Sequence, residues 1–188
     1  AMIDNGSTAV IEMSSASGLP LLSPSSRHPL STTTYGTGEL IRRAMDMGAR
    51  KILVGLGGSA TVDGGTGMAR ALGVRFLDVR GKPIGWGGGA LSSLVHIDLS
   101  AIDLRIARTK IVALADVRTP LTGRYGAAPL FAPQKGATPR ETSILAENLR
   151  RLASVVKRDI GMNVHSLHGG GAAGGLGARS RRLDFGFA

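Results

Sequence analysis

The sequence predicts an α/β fold: a mixed or mostly parallel sheet with flanking helices and glycine-rich loops. Short apolar runs alternate with segments of helical periodicity along the 188 residues, the pattern of strands joined by helical crossovers. The composition is 43% apolar yet only 4% aromatic, which suits a closely packed body of small residues and not a disordered chain. Two glycine clusters, Gly55–Gly67 and Gly169–Gly177, fall at the ends of such segments, where sheets of this class build their sites.

Thr8–Met13 reads as a first strand. A Ser/Pro-rich connection follows from Ser14 to Thr33, long enough to be a binding loop. Glu39–Gly48 is predicted as a helix, with Leu40, Ile41, Ala44 and Met45 on one face and Gly48 as its stop. Lys51–Leu56 is the next strand. The first glycine cluster comes after it, then a short helix over Met68–Gly73 and a strand over Val74–Asp78. Lys82–Ala90 is turn-rich around Gly85–Gly89. Leu94–Leu99 and Lys110–Ala115 are further strands, the second expected to be fully buried. Thr138-Pro139-Arg140-Glu141 is a capping box with proline at the first helical position. The helix it opens carries Ile144, Leu145, Leu149, Leu152 and Val156 on one stripe and ends near Gly161.

The first glycine cluster carries the most chemistry. Six glycines in thirteen positions are costly in conformational entropy, so a place where backbone must approach something closely is indicated. Successive bare N–H groups at a strand-to-helix turn make a concavity for an anion, phosphate above all. A tight turn with no ligand is the plainer alternative. A Walker-type loop is excluded, because no lysine lies between Lys51 and Lys82. Gly55–Ala60 satisfies the dinucleotide pattern, with Asp78 where a ribose-binding acid belongs. Gly64, Gly65 and Gly67 would then fall inside the following helix at about 1 kcal/mol each, which leaves a dinucleotide-binding domain as the weaker alternative.

Asp63, within the loop, and Asp116, after an apolar strand, are the candidate catalytic residues. An acid at a strand's carboxyl end, beside a phosphate loop, can orient a hydroxyl, take its proton or hold Mg²⁺. A helix cap for Asp63 and an Asx turn for Asp116 are the structural alternatives. Gln134 and Lys135 follow Pro133 in a loop, where the lysine could neutralise phosphate or carboxylate, and Arg27 beside His28 is a candidate carboxylate clamp. His96, His165 and His168 lack the spacing of metal ligands.

The absence of cysteine excludes a disulfide framework and thiolate metal sites and leaves the cytoplasm as the default compartment. No run reaches the apolar length of a membrane span. With 23 Lys+Arg against 13 Asp+Glu, the net charge of +10 points to anionic partners. The basic residues are scattered as pairs, such as Arg42-Arg43 and Lys157-Arg158, without an aromatic stacking platform, which favours small anions over nucleic acid.

The segments Ile11–Leu19, Tyr35–Ile41, Gly57–Thr61, Asp63–Gly65, Ala71–Gly73, Pro133–Ala137 and Gly171–Gly177, taken together and in this order, resemble the bacterial-type glycerate kinase family. The resemblance implies two unlike α/β domains with the site between them. Residues 1–178 look like a partial kinase domain, the central one, and residues 179–188 like a divergent basic tail. It further implies phosphoryl transfer from ATP, with Mg²⁺, to a hydroxyl of D-glycerate, with the 2- or 3-position open, no membrane partner, and self-association open. Gly57, Gly58, Ser59, Ala60 and Thr61, with Gly64, Gly65, Gly171 and Gly174, would cradle phosphate or the glycerate carboxylate. Asp63 and Asp116 would orient the hydroxyl or the metal, and Gln134, Lys135 and Arg27 would meet anionic charge. The family's opening and closing segments are missing here, so a catalytically inactive, isolated anion-binding domain is the implied alternative. Val62, His28 and Thr119 stand where the family usually carries asparagine.

Overall fold

A computed structural model of the chain describes residues 1–165 and 169–175; His168 and the 179–188 tail lie outside them. The elements run β1 Met2–Ile3, β2 Thr8–Glu12, α1 Ser14–Ser17, α2 Tyr35–Asp46, β3 Lys51–Gly55, α3 Thr66–Ala71, β4 Arg75–Leu77, β5 His96–Asp98, β6 Lys110–Leu114, α4 Ala127–Phe131, α5 Pro139–Ile160 and α6 Ala172–Gly175. One sheet has the order β1-β2-β3-β6. Within it β2, β3 and β6 are parallel, and β1 is an antiparallel edge. A separate antiparallel hairpin joins β4 and β5. The mixed, mostly parallel sheet expected from the sequence is the one observed.

Register decides which side chains enter the core, because successive residues of a strand face opposite sides of the sheet. Ala9, Ile11, Ile52, Val54 and Ile111 share the buried side. On the other side Val10, Leu53 and Val112 align across the three parallel strands and are only half-buried. The expectation that Lys110–Ala115 is fully buried is therefore corrected. Among the described residues β6 is the last strand on its side of the sheet, Ile111 is its one buried member, and Leu114 is exposed. A parallel strand reads as continuously apolar because both of its faces are normally covered. Here the cover over one face is incomplete.

Helix α2 begins four residues before the predicted start and buries Ile41, Ala44 and Met45, while Leu40 is half-buried. It crosses α3 closely at Gly38, where a methyl group would collide with Ala71 Cβ at 2.6 Å. The long connection of residues 14–33 is structured: α1 and two 3-10 turns, Leu19–Leu21 and Pro24–Ser26, occupy half of it.

The predicted capping box of α5 is present in full. Thr138 Oγ1 accepts from the Glu141 N–H at 3.2 Å, and the Glu141 carboxylate accepts from the Thr138 N–H at 2.8 Å, which holds that carboxyl below its ordinary range. The helix buries Leu145, Leu149 and Leu152 as its periodicity requires. Ile144 lies at the exposed rim, and Asn148 takes a buried place, donating to the carbonyls of Gly88 (2.8 Å) and Gly89 (3.1 Å). Replacing Thr138 by alanine removes the cap and is expected to lower the unfolding free energy by about 1 kcal/mol, read as a shifted urea midpoint at unchanged slope.

Candidate active site

The carboxyl ends of β3 and β6 lie side by side in the parallel ladder, with Gly55 paired to Leu114. Beyond them the chain diverges, and a cavity of about 380 Å³ opens at this edge. Gly57, Gly58 and Ser59 form one wall, Ala115, Asp116 and Val117 another. Gln134 and Lys135, after α4, close a third side, and Ala172 and Ala173 come from α6. Carboxyl ends of parallel strands are where open α/β sheets bind ligands.

The glycine loop divides into two halves with different work. No described residue accepts a hydrogen bond from the amides of Gly57, Gly58 or Ser59, all three of which line the cavity. From Ala60 onward the loop turns inward. The Ala60 N–H donates to the Ser17 carbonyl (2.9 Å), and the Gly64 N–H donates to the Gly174 carbonyl (3.0 Å). Gly64 has φ +64°, and a Cβ there would strike Leu152. Gly174 has φ +72°, and a Cβ there would strike the Thr61 carbonyl. Both positions require glycine for left-handed backbone and for close approach. Gly171 packs on Pro120 and donates to the Thr119 carbonyl at 2.8 Å. The second glycine cluster thus braces the back of the first. Of the cradle expected from residues 57–65, only Gly57 and Gly58 are exposed; Ser59 is buried yet lines the cavity, and Ala60, Thr61, Gly64 and Gly65 are buried or half-buried behind it, as are Gly171 and Gly174.

Asp63 is 0% exposed. Its Oδ2 accepts from the Thr34 N–H (2.9 Å), Thr34 Oγ1 (2.9 Å), the Gly67 N–H (3.1 Å) and Thr33 Oγ1 (3.4 Å), and its Oδ1 accepts from the Gly65 N–H (3.1 Å). Thr34 Oγ1 in turn accepts from the Met68 N–H at 2.8 Å. The carboxylate ties the starts of α2 and α3 together, and it is not among the groups lining the cavity. Asp63, expected to act on a substrate, is placed by the structure away from the cavity, where it anchors the loop. Asp116 is its opposite, an exposed carboxylate on the cavity wall that meets no donor among the described residues.

Lys135 is 3% exposed, with Nζ donating to Ser59 Oγ at 2.6 Å and to the Thr61 carbonyl at 2.7 Å. Burial lowers its pKa to about 8, with the nearby Asp63 charge opposing the shift. Gln134 is exposed on the rim. Arg27 is half-buried; its carbonyl and Cβ pack against Gly136, behind the Lys135 turn, and it does not line the cavity.

Sequence reasoning did not single out Thr33 and Thr34, though a threonine run directly before Tyr35 is a helix-start signal. Nor did it find Leu19, Phe131 and Val117 as lining residues, and nothing local in the sequence marks them. Ala173, which also lines the cavity, holds φ +53°, a left-handed conformation costing an alanine about 1 kcal/mol. Strain of this kind collects where a site fixes the backbone.

An α/β protein with a donor-lined cleft at the carboxyl edge of a parallel sheet is what fold and site define. The sequence profile of the "Glycerate kinase family" matches residues 1–183, and the chain belongs to that family. It is 49% identical to a glycerate kinase of Haemophilus influenzae over 92% of this chain and 46% of the relative. To a glycerate 2-kinase of Escherichia coli it is 48% identical, over 93% and 46% respectively. A solved structure from Salmonella typhimurium LT2, under the name glycerate kinase 2, superposes with a TM-score of 0.92 at 48% identity, covering 94% of this chain and 47% of that one. The chain spans about half the length of the curated relatives it matches.

Two outcomes follow from the buried charges. Asp63→Asn turns an all-acceptor group into one that faces its donors with an amide, and is expected to cost about 3 kcal/mol of stability in urea unfolding. For Lys135, folded chains release the proton near pH 8 and unfolded chains near 10.5. Between those values the unfolded state binds more protons, so stability rises with pH across the window. Relative to Lys135→Met, the wild type is expected to gain up to about 3 kcal/mol between pH 7.5 and 10.5.

Proposed function

We propose that this chain forms part of a phosphotransferase that moves the terminal phosphoryl group of ATP to a hydroxyl of D-glycerate. The observation that carries the reading is the meeting, in one cavity, of the Gly57–Ser59 amides and the Asp116 carboxylate. Phosphoryl transfer needs positioning and neutralisation of spreading charge more than covalent help from the protein, and main-chain donors supply that without reorganisation. In this reading the amides of Gly57, Gly58 and Ser59 hold a phosphate or the glycerate carboxylate. Asp116 accepts the proton of the attacking hydroxyl while the new P–O bond forms and the bond to the departing ADP breaks. Gln134 donates from the rim.

The donor set also fits Mg²⁺. That ion is usually held by one or two carboxylates together with substrate phosphates, and Asp116 lines the cavity with its carboxylate meeting no donor among the described residues, whereas the oxygens of Asp63 are engaged. Bound there, Mg²⁺ would offset the negative charge of the transferring phosphoryl group. Membership of the glycerate kinase family supports the substrate assignment, and the name of the Escherichia coli relative favours the 2-hydroxyl.

The test is ADP release coupled to D-glycerate in the intact protein, with ³¹P NMR identifying 2- or 3-phosphoglycerate. Asp116→Asn is expected to lower turnover by about 100-fold with folding unchanged. Undiminished turnover in that variant removes Asp116 from the chemistry, and no glycerate-dependent ADP release at all removes the reaction.

A further inference from the structure

Lys135 is the one cation lining the cavity among the described residues, and the direct expectation is that it touches the bound anion. Its hydrogen bonds point elsewhere. An ammonium group has donors and no acceptor, so in the 2.6 Å contact with Ser59 the hydroxyl oxygen must be the acceptor. The second bond goes to the carbonyl of Thr61, a residue 1% exposed that does not line the cavity. These two acceptors draw Nζ to the interior side of the loop. The Ser59 O–H, its oxygen already engaged by Lys135, keeps its own proton for another partner. No described residue takes it, and Ser59 stands on the cavity wall beside the open amides of Gly57 and Gly58.

We propose that Lys135 is a positioning residue that acts on the anion through Ser59, turning the Ser59 hydroxyl outward as a donor to the ligand. This rests on reading the cavity as an anion site. The arrangement has two settings. With Lys135 protonated, Nζ donates to Oγ and the hydroxyl proton faces the cavity with the neighbouring amides. With Lys135 neutral, its lone pair becomes the better acceptor, the Ser59 O–H turns back to it, and the cavity loses a donor. The amine changes state near pH 8. The other charged groups around it are Asp63 from the glycine loop, Asp116 from the wall after β6, and Arg27, whose backbone packs on Gly136.

The experiment uses inorganic sulfate, whose charge is constant over this range, followed by amide shifts of Gly57–Ser59 in NMR titrations at pH 7 and 9.5. Wild type is expected to lose about tenfold in affinity between the two values. Ser59→Ala is expected to bind about tenfold more weakly at pH 7 and to show no further pH dependence. Lys135→Met should match it, and the double variant should be no weaker than either single variant. If Ser59→Ala keeps the alkaline decline, or the two losses multiply toward about 100-fold, Lys135 contacts the anion itself and the proposal is overturned. A wild type whose Gly57–Ser59 amides do not respond to sulfate also overturns it. Should Lys135→Met fail to fold, the pH profile of Ser59→Ala decides alone. Sulfate binding with this pattern but without glycerate-dependent ADP release would leave the relay standing and remove the kinase reaction.

Discussion

The fold around the cavity depends on one buried carboxylate. Asp63 collects donors from Thr33 and Thr34 on one side and from Gly65 and Gly67 on the other. Helix starts leave N–H groups without intrahelical partners, and a buried start must find them elsewhere. A single acceptor serves the starts of α2 and α3 together, which brings the two helices into the close contact that Gly38 permits. The same carboxylate sets the path of the loop between β3 and α3, and so fixes where Gly57, Gly58 and Ser59 emerge. Burying a charge this deeply is tolerable only with full hydrogen bonding and a compensating cation nearby. Lys135 supplies that cation from across the loop.

Glycine density in this chain answers two separate demands. At Gly64 and Gly174 the backbones of two distant segments touch, and any side chain would part them. At Gly57 the demand is different: an added Cβ would meet nothing nearby. There the missing side chain leaves main-chain N–H groups open to a ligand. A cradle of open amides needs a rigid back, because donors that must reorganise lose their advantage in binding charge. The second glycine cluster provides the back and the first provides the donors.

Local pattern made much of this legible from sequence. The strand Lys51–Gly55, the cap at Thr138 and the stop at Gly161 are written in a few neighbouring residues, and the structure keeps them within a residue or two. What the sequence left hidden depends on partners far along the chain. Asp63 reads as a catalytic acid until donors about thirty positions upstream are seen to enclose it. Half of the glycine loop is sealed by Ser17 and Gly174, neither of which is near it in sequence. Strand β6 carries the residues of a buried strand, yet its burial is decided by what covers the sheet, which its own pattern does not encode. Arg27 lies behind the cavity wall, because Gly136 admits its backbone there.

Net charge and site charge are different matters in this molecule. The excess of +10 suggests anions at large, yet many arginines serve the scaffold. Arg70 donates to the carbonyls of Gly85 and Ile84, Arg151 to that of Leu94, and Arg105 pairs with Asp46 and Asp103. Among the described residues the cavity is lined by one cation, Lys135, hydrogen-bonded to the Ser59 hydroxyl, and one exposed carboxylate, Asp116. In the proposed reading, its preference for a negatively charged oxygen would come from oriented N–H and O–H dipoles at short range, which salt screens far less than it screens surface charge. A site built this way distinguishes ligands by the placement of their oxygens more than by their total charge. On the proposed function, that suits a small hydroxy acid that must be told apart from other anions.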